Sequence, residues 1–252
     1  TWPGRKYSFG RMQGNISAVG GDTNVILKLG QSSSYSPGAT VGKLKGVVTD
    51  PDGKPVSGAQ VAVFPSPSNR TKTGTNGAFS LTWTLQRYQV QQGRKPCLVV
   101  RDLERNLAAA EDFSEGTTNL DVQLRPALTV AGRVQNPDGT PISDAQVGVW
   151  LSAAQTYSEG NEQLARAESR GNFEIKTLPL GPKYIVYASA KDHGRVQQDL
   201  RDSSLEKLEL PTFVLPLADQ RIAGQVVNEQ DKPVSGASVS LSGKDQPIGS
   251  ST

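Results

Sequence analysis

One sixteen-residue pattern occurs three times in the chain and restricts its fold more than any other feature. Each copy runs from a glycine to a valine, and the copies begin at Gly46, Gly132 and Gly224. In every copy an alanine follows the glycine by 13 residues. The copies lie 86 and 92 residues apart (132 − 46 and 224 − 132), which is too long for a solenoid of small units. The sequence therefore predicts an array of similar domains.

A second pattern separates the two halves of each repeat and sets the domain boundaries. It ends at Tyr7, Tyr184 and, more loosely, Cys97, and it opens a strand-like stretch ahead of the next glycine-initiated copy. The chain then divides into the back part of one repeat, two complete repeats and the front part of another, at 1–42, 43–126, 127–217 and 218–252. Because the first residues show neither an initiator methionine nor an apolar leader, we expect an excerpt of a longer protein.

The residue pattern inside one repeat predicts a β-sandwich. Valines two residues apart recur at the same place, Val61 with Val63 and Val147 with Val149, which puts each pair on one face of a strand. Pro-Asp-Gly steps between strands supply turns, because proline fixes φ and glycine accepts a positive φ. About seven short strands in roughly 90 residues is typical of a sandwich. The predicted fold class is all-β, with tandem seven-stranded Greek-key sandwiches.

Three further stretches carry secondary-structure signals, one for a strand and two for a possible helix. Phe79, Leu81, Trp83 and Leu85 alternate with other residues, so we expect Trp83 to be a core residue. By contrast, two stretches could each form about two helical turns. These stretches are 103–112 and 161–169.

The repeats resemble the carboxypeptidase regulatory-like domain, a prealbumin-like (transthyretin-like) sandwich. The matching elements are Gly-x-Val, Gly-x-Pro-Val, Ala-x-Val, Thr-Asn-Gly-x-Phe and Leu-Pro-x-Gly-x-x-Tyr, at 46–48, 53–56, 59–61, 75–79 and 178–184. The third copy departs from the pattern, since Asp231 replaces the turn glycine, and we expect a weaker turn there. The resemblance implies an accessory module without catalytic residues, used in tandem as a spacer or stalk in large bacterial proteins. Similar sandwiches in starch-degrading enzymes bind carbohydrate.

Composition excludes several kinds of chemistry. One histidine and one cysteine in 252 residues cannot build a Cys/His zinc site or an intrachain disulfide. Any Ser-His-Asp arrangement would need His193, which lies in a polar Lys-Asp-His-Gly stretch and which we interpret as a solvated loop residue. A net charge of +3 is too small to indicate nucleic acid, and no apolar run reaches the length of a membrane span. We predict no catalytic residues, no metal and no cofactor.

Two other residue types were candidates for chemistry and have simpler interpretations. Asp50 and Asp52 might suggest calcium, but Ca²⁺ needs six to eight oxygens and the remaining loop ligands are missing, so we interpret them as turn residues. Cys97 takes the position that Tyr184 has in the second complete repeat, and we interpret it as a buried small hydrophobe.

The leading hypothesis is therefore a structural or protein-interaction rod whose partners are other domains of the parent protein or another protein. Short proline-bearing linkers at 125–127 and 215–218 favour repeats held semi-rigidly end to end. We expect an extracytoplasmic setting from this architecture, and no enzyme activity. The sequence does not identify the parent protein.

The alternative function is a carbohydrate-binding module that contacts polysaccharide. Its best residue is Trp150, which follows the Val147/Val149 face by one position and should point outward, where a flat ring could stack on a sugar. Phe64 is its equivalent in the first complete repeat. A competing interpretation of Trp150 is a contact between domains or packing beneath the loop at 151–165.

The two terminal part-repeats leave one question open. Each alone would expose apolar faces and strand edges, so we expect them to be disordered, to self-associate or to pair with sequence outside the chain. Alternatively, residues 1–42 and 218–252 could pack together and approximate one repeat.

Overall fold

The computed structural model confirms the all-β class. It describes residues 12–13, 16–18, 21–31, 38–65, 70–86, 89–90, 93–153, 156–157, 162–200, 204–218 and 222–239. The step ending at Tyr7 lies outside the described residues. The strands ahead of the first complete repeat are β1 (Met12–Gln13), β2 (Val25–Lys28) and β3 (Gly30–Gln31).

The first complete repeat consists of two facing sheets. Its strands are β4 (Ala39–Thr49), β5 (Gln60–Phe64), β6 (Arg70–Lys72), β7 (Ala78–Gln86), β8 (Cys97–Asp102), β9 (Leu107–Asp112), β10 (Val122–Gln123) and β11 (Arg125–Pro126). One sheet has the order β10-β4-β7 and the other β11-β9-β8-β5-β6. The seven predicted strands correspond to β4–β10, and β11 is the linker to the next repeat.

The core of this repeat lies between the sheets and follows the predicted alternation. Along β7, Phe79, Leu81, Trp83 and Leu85 are buried, and Trp83 is 1% exposed. Its indole packs edge-on against Phe113, with ring centroids 5.6 Å apart. The prediction that Trp83 is a core residue is confirmed.

The second complete repeat has the same plan. Its strands are β12 (Leu128–Gln135), β13 (Gln146–Ala153), β14 (Thr156–Tyr157), β15 (Glu162–Arg166), β16 (Asn172–Leu178), β17 (Lys183–Ser189), β18 (Val196–Leu200), β19 (Lys207–Glu209) and β20 (Phe213–Val214). β12 lies between β16 on one side and β19 and β20 on the other, while β13 and β17 are the centre of the facing sheet. The strand β21 (Gly224–Val227) opens the third copy.

Both stretches that could have been helical contain strands. Residues 107–112 form β9, and residues 162–166 form β15. Each strand pairs with a central strand of its sheet, β9 with β8 and β15 with β13. The possible helical turns are replaced by strands here because ladder pairing in the sheet outweighs a weak local preference for helix.

The terminal part-repeats are joined to each other. β2 runs parallel to β21, with Val25 opposite Gly224 and Lys28 opposite Val227. One strand of each part-repeat is thus paired within the chain, where we had expected disorder, self-association or pairing with sequence outside it.

Candidate functional site

The first complete repeat buries both faces of its two central strands. On β5 and β8, one set of side chains faces the repeat's own core, as expected for the predicted valine pair. The opposite face carries apolar side chains that are at most 9% exposed and belong to the same cluster as the core of the second repeat. These side chains are Ala62, Phe64, Cys97 and Val99. We call this set the joint face, and it joins the two repeats through one apolar layer.

Phe64 accordingly differs from its prediction. The residue is 4% exposed within the joint face, so its ring is not available to a ligand in solvent. The alternation along the strand does point it away from its own core, as expected. The prediction of an open ring is corrected because the second repeat covers the face on which it lies.

The linker between the repeats is itself part of a sheet. Arg125 and Pro126 pair with β9 as β11, with Arg125 opposite Ala108. The next residue, Ala127, donates its N–H to the carbonyl of Asn106 at 3.0 Å, and β12 begins one residue later. A connection bonded in this way leaves the backbone between the repeats few free torsions.

Asn106 links the two repeats with its side chain. It occupies a turn with a φ of 53°, a region that asparagine tolerates better than most residues. Its Oδ1 accepts a hydrogen bond from the Thr177 N–H at 2.8 Å, and its Nδ2 donates to the Ala127 carbonyl at 3.3 Å and to Thr129 Oγ1 at 3.2 Å. Thr177 is 1% exposed, so this contact satisfies a buried backbone donor. Sequence reasoning missed Asn106, and the only local signal is an asparagine in a short polar stretch between strands.

Cys97, in the joint face, and Tyr184, in the same apolar cluster, both have raised pKa values. Burial, reinforced by the nearby Asp112 carboxylate, raises the pKa of the Cys97 thiol, so it stays protonated near neutral pH. Burial also raises the pKa of Tyr184, whose hydroxyl donates to the Pro179 carbonyl at 2.7 Å. The interpretation of Cys97 as a buried hydrophobe is confirmed, since it is 1% exposed.

The sheet register corrects the equivalence assigned to Cys97. Cys97 lies opposite Phe64, and in the second repeat Ile185 lies opposite Trp150. Cys97 therefore corresponds to Ile185, one residue after Tyr184. The sequence comparison was displaced by one position because the Arg-Lys-Pro-Cys step only loosely matches the Gly-Pro-Lys-Tyr step.

Trp150 lies on the outer face of the second repeat, as the alternation predicted. Its ring packs against Tyr187 with a centroid distance of 5.4 Å. The Arg195 guanidinium carbon lies 4.2 Å from the Trp150 centroid and 3.5 Å from that of Tyr187. Burial lowers the pKa of Arg195 to about 10, which keeps it cationic at neutral pH. The Arg195 guanidinium therefore covers part of the Trp150 ring, and the residue stays half-buried.

Asp50 is the turn residue that the sequence interpretation predicted. Asp50 Oδ1 accepts hydrogen bonds from the backbone N–H groups of Asp52 and Lys54 at 3.0 and 2.9 Å, and Arg105 lies 3.1 Å from the other oxygen. The Lys54 N–H, with the other donors, lowers the pKa of Asp50. Asn228 caps the third copy's turn in the same way, through Gln230 and Lys232.

His193 is hydrogen-bonded by two neighbours, and the described residues include no cluster of metal ligands. The His193 ring is held by the Lys191 carbonyl at 2.6 Å and by Asn136 Oδ1 at 2.7 Å, so it is more tightly bound than the solvated residue we expected. Across the described ranges no three His, Cys, Asp or Glu side chains gather as metal ligands. In the same part of the chain, no helix has the length and apolarity needed to cross a bilayer.

Comparisons with known proteins confirm the family resemblance for one segment. Residues 43–95 match the family model described as carboxypeptidase regulatory-like domain. No curated protein matches the chain.

Several solved structures are similar to the chain at low identity. The Streptococcal ancillary pilin is 10% identical, with 73% of this chain and 64% of that chain covered and a TM-score of 0.26. The shaft pilin SpaA from Lactobacillus rhamnosus GG is 9% identical, with coverage of 71% and 98% and a TM-score of 0.31. The Bacillus anthracis TIE protein is 14% identical, with coverage of 77% and 40% and a TM-score of 0.28. The chain thus spans less than two thirds of the first of these proteins.

Proposed function

We propose that the chain is a non-catalytic spacer within a larger protein, in which the repeats at 43–126 and 127–217 form one stiff block. The observation that carries this proposal is the joint face, where Phe64 and Cys97 share an apolar core with the second repeat. Domains joined only by a linker move relative to each other by default, and a shared apolar layer removes that freedom.

The chemistry of the described residues supports a passive role. The Cys97 thiol and the Tyr184 hydroxyl are protonated and buried, and the His193 ring is engaged by two neighbours. Neighbouring domains of the parent protein are the proposed partners. An extracytoplasmic setting is proposed because the resembling domains occur in tandem in large bacterial proteins.

Residual dipolar couplings measured by NMR test the stiffness. We expect the couplings of both repeats to fit one alignment tensor. Phe64→Asp, which puts a charge into the joint face, should divide the data into two tensors, whereas Lys72→Glu at an exposed position of β6 should not. Two independent tensors in the unmodified chain would contradict the spacer proposal.

Carbohydrate binding is the second candidate, favoured by the half-buried ring of Trp150 on an outer sheet face. A glycan array comparing the unmodified chain with Trp150→Ala tests it. Binding that disappears in the variant would establish a ligand function, and absence of binding in both would leave the spacer role alone.

A further inference from the structure

One buried arginine on the second repeat leaves hydrogen-bond donors unused within the part of the chain that the structure describes. Arg195 is 8% exposed, and its Nε and Nη2 atoms are buried without a hydrogen-bond partner among the described residues. A guanidinium carries only donors, so it needs acceptors nearby once water is removed. The exposed Arg105 shows the usual arrangement, because its Nε lies 2.6 Å from Asp102 and its Nη1 lies 3.1 Å from Asp50. Arg195 is therefore a desolvated cation whose two buried donors await an acceptor.

The aromatic stack beneath Arg195 does not use these donors. The guanidinium carbon lies 3.5 Å from the ring centroid of Tyr187 and 4.2 Å from that of Trp150. Stacking engages the flat face of the guanidinium, whereas its N–H groups point outward in its own plane. The stack therefore fixes the orientation of the cation and leaves its N–H groups for another partner.

The turn that carries Arg195 is fixed on both sides. Gly194 donates its N–H to the Pro216 carbonyl at 2.8 Å, and the ring of His193 is held by two oxygen atoms. Val196 begins β18, which pairs with β17. Because its chain neighbours are already bonded, Arg195 has little conformational freedom to lose when a partner binds.

The corresponding sheet face is a protein interface in the first repeat. The register gives Trp150 the position of Phe64, and it gives Tyr187 the position of Val99, and both residues of the first repeat belong to the joint face. Tryptophan, tyrosine and arginine are also the residue types that contribute most to binding at protein interfaces. A sugar fits less well, because the guanidinium of Arg195 covers part of the ring on which it would stack. These observations favour a protein ligand over a polysaccharide.

We propose that the outer face of the second repeat binds an acidic peptide segment of a partner protein, with an aspartate or glutamate carboxylate of that segment beside the Arg195 guanidinium. Arg195 still reaches solvent with 8% of its surface, and the charge of a guanidinium is delocalised over all its nitrogens. A carboxylate at the solvent-facing end therefore compensates the charge at the buried end as well. The proposal goes beyond the spacer role and does not rest on it, because the joint face belongs to other strands.

Titration with synthetic peptides, followed by NMR on the full chain, tests the proposal. Hexaglutamate with blocked ends should shift the indole N–H of Trp150 and the Nε–H of Arg195 in a saturable way, and hexaglutamine should shift neither. Arg195→Gln should weaken the binding of hexaglutamate by about tenfold or more, because it removes a charged hydrogen-bond donor.

The matched control is Arg133→Gln, which removes the same charge from an exposed position of β12. It should leave the affinity for hexaglutamate within about twofold of the unmodified chain, because an exposed charge at a distance is screened by solvent and salt. Amides of β12 and β16, in the facing sheet, should keep their protection from hydrogen exchange in both variants, which shows that the second repeat stays folded.

Two results would overturn the proposal directly. An equal loss of affinity in both variants would show that hexaglutamate responds to net charge alone, and an absence of saturable binding would show that Arg195 takes no peptide carboxylate. Oligogalacturonate is the second probe, because it carries its carboxylates on a sugar. Binding of oligogalacturonate without binding of hexaglutamate would also overturn the proposal and would assign Arg195 to the carbohydrate function. None of these results changes the single alignment tensor expected for the spacer, so the two proposals can fail separately.

Discussion

The outer sheet faces of the two complete repeats occupy equivalent positions but differ in burial. Phe64 and Trp150 occupy the same place in their repeats, opposite Cys97 and Ile185. Phe64 is 4% exposed in an apolar layer shared with the following repeat. Trp150 remains half-buried and is covered in part by Arg195. The aromatic residue at this position therefore packs against the neighbouring repeat in the first repeat. In the second repeat it stacks on an arginine instead.

The largest expected effect comes from truncating these two rings. Phe64→Ala should lower the free energy of unfolding by about 3–5 kcal/mol, because it leaves a cavity in a closed apolar layer. Trp150→Ala should cost about 1–2 kcal/mol, since a half-exposed ring loses less burial and one cation–π contact. Urea unfolding followed by far-UV circular dichroism measures both. Equal losses would show that the two faces are covered alike.

A smaller difference is expected between Asn106 and Asp192. Both have positive φ, 53° and 61°, and the carbonyl of each accepts the N–H of the alanine that ends its linker. Alanine at either position imposes similar backbone strain, but only Asn106→Ala also leaves the buried Thr177 N–H without its acceptor. We expect Asn106→Ala to be the more destabilising of the two by about 1–3 kcal/mol in the same unfolding assay. A larger loss in Asp192→Ala would contradict the role assigned to the Asn106 side chain.

The smallest expected effect concerns pH, since Cys97 can ionise and its counterpart Ile185 cannot. The folded pKa of the thiol is raised above its ordinary value near 9, so its contribution to stability is full below that pH and is lost as the pH rises above it. Between pH 9 and 10 the chain should lose up to about 1.4 kcal/mol relative to Cys97→Ala. Urea unfolding of both proteins at several pH values in this range measures the difference in unfolding free energy. If that free energy changes with pH by the same amount in both proteins, the thiol is already accessible to solvent in the folded state.

The sequence correctly predicted the features that depend on contacts within one repeat. The spacing from Gly46, the valine pairs and the alternation through Trp83 predicted sheets, faces and core, because a strand with one buried face shows a period of two. The turn role of Asp50 was predictable for the same reason, since its hydrogen-bond partners lie within four residues. Helix at 161–169 was not excluded, because a short polar stretch carries little local signal about the strand that will pair with it.

The contacts between repeats had no comparable signal in the sequence. Phe64 and Trp150 follow the same alternation, and nothing local distinguishes the ring that a neighbour covers from the ring that remains half-exposed. Asn106 bonds to Thr177, 71 residues away, and β2 reaches β21 across most of the chain.

The amino-acid sequence by itself determined the repeat, its all-β character and the face on which each side chain lies, because these depend on periodicity and on turns of a few residues. Only the tertiary structure decided which faces of the repeats meet and which distant strands pair. Those outcomes depend on the simultaneous burial of surfaces that are distant along the chain. Neither segment carries a periodic residue pattern that identifies the segment it will contact.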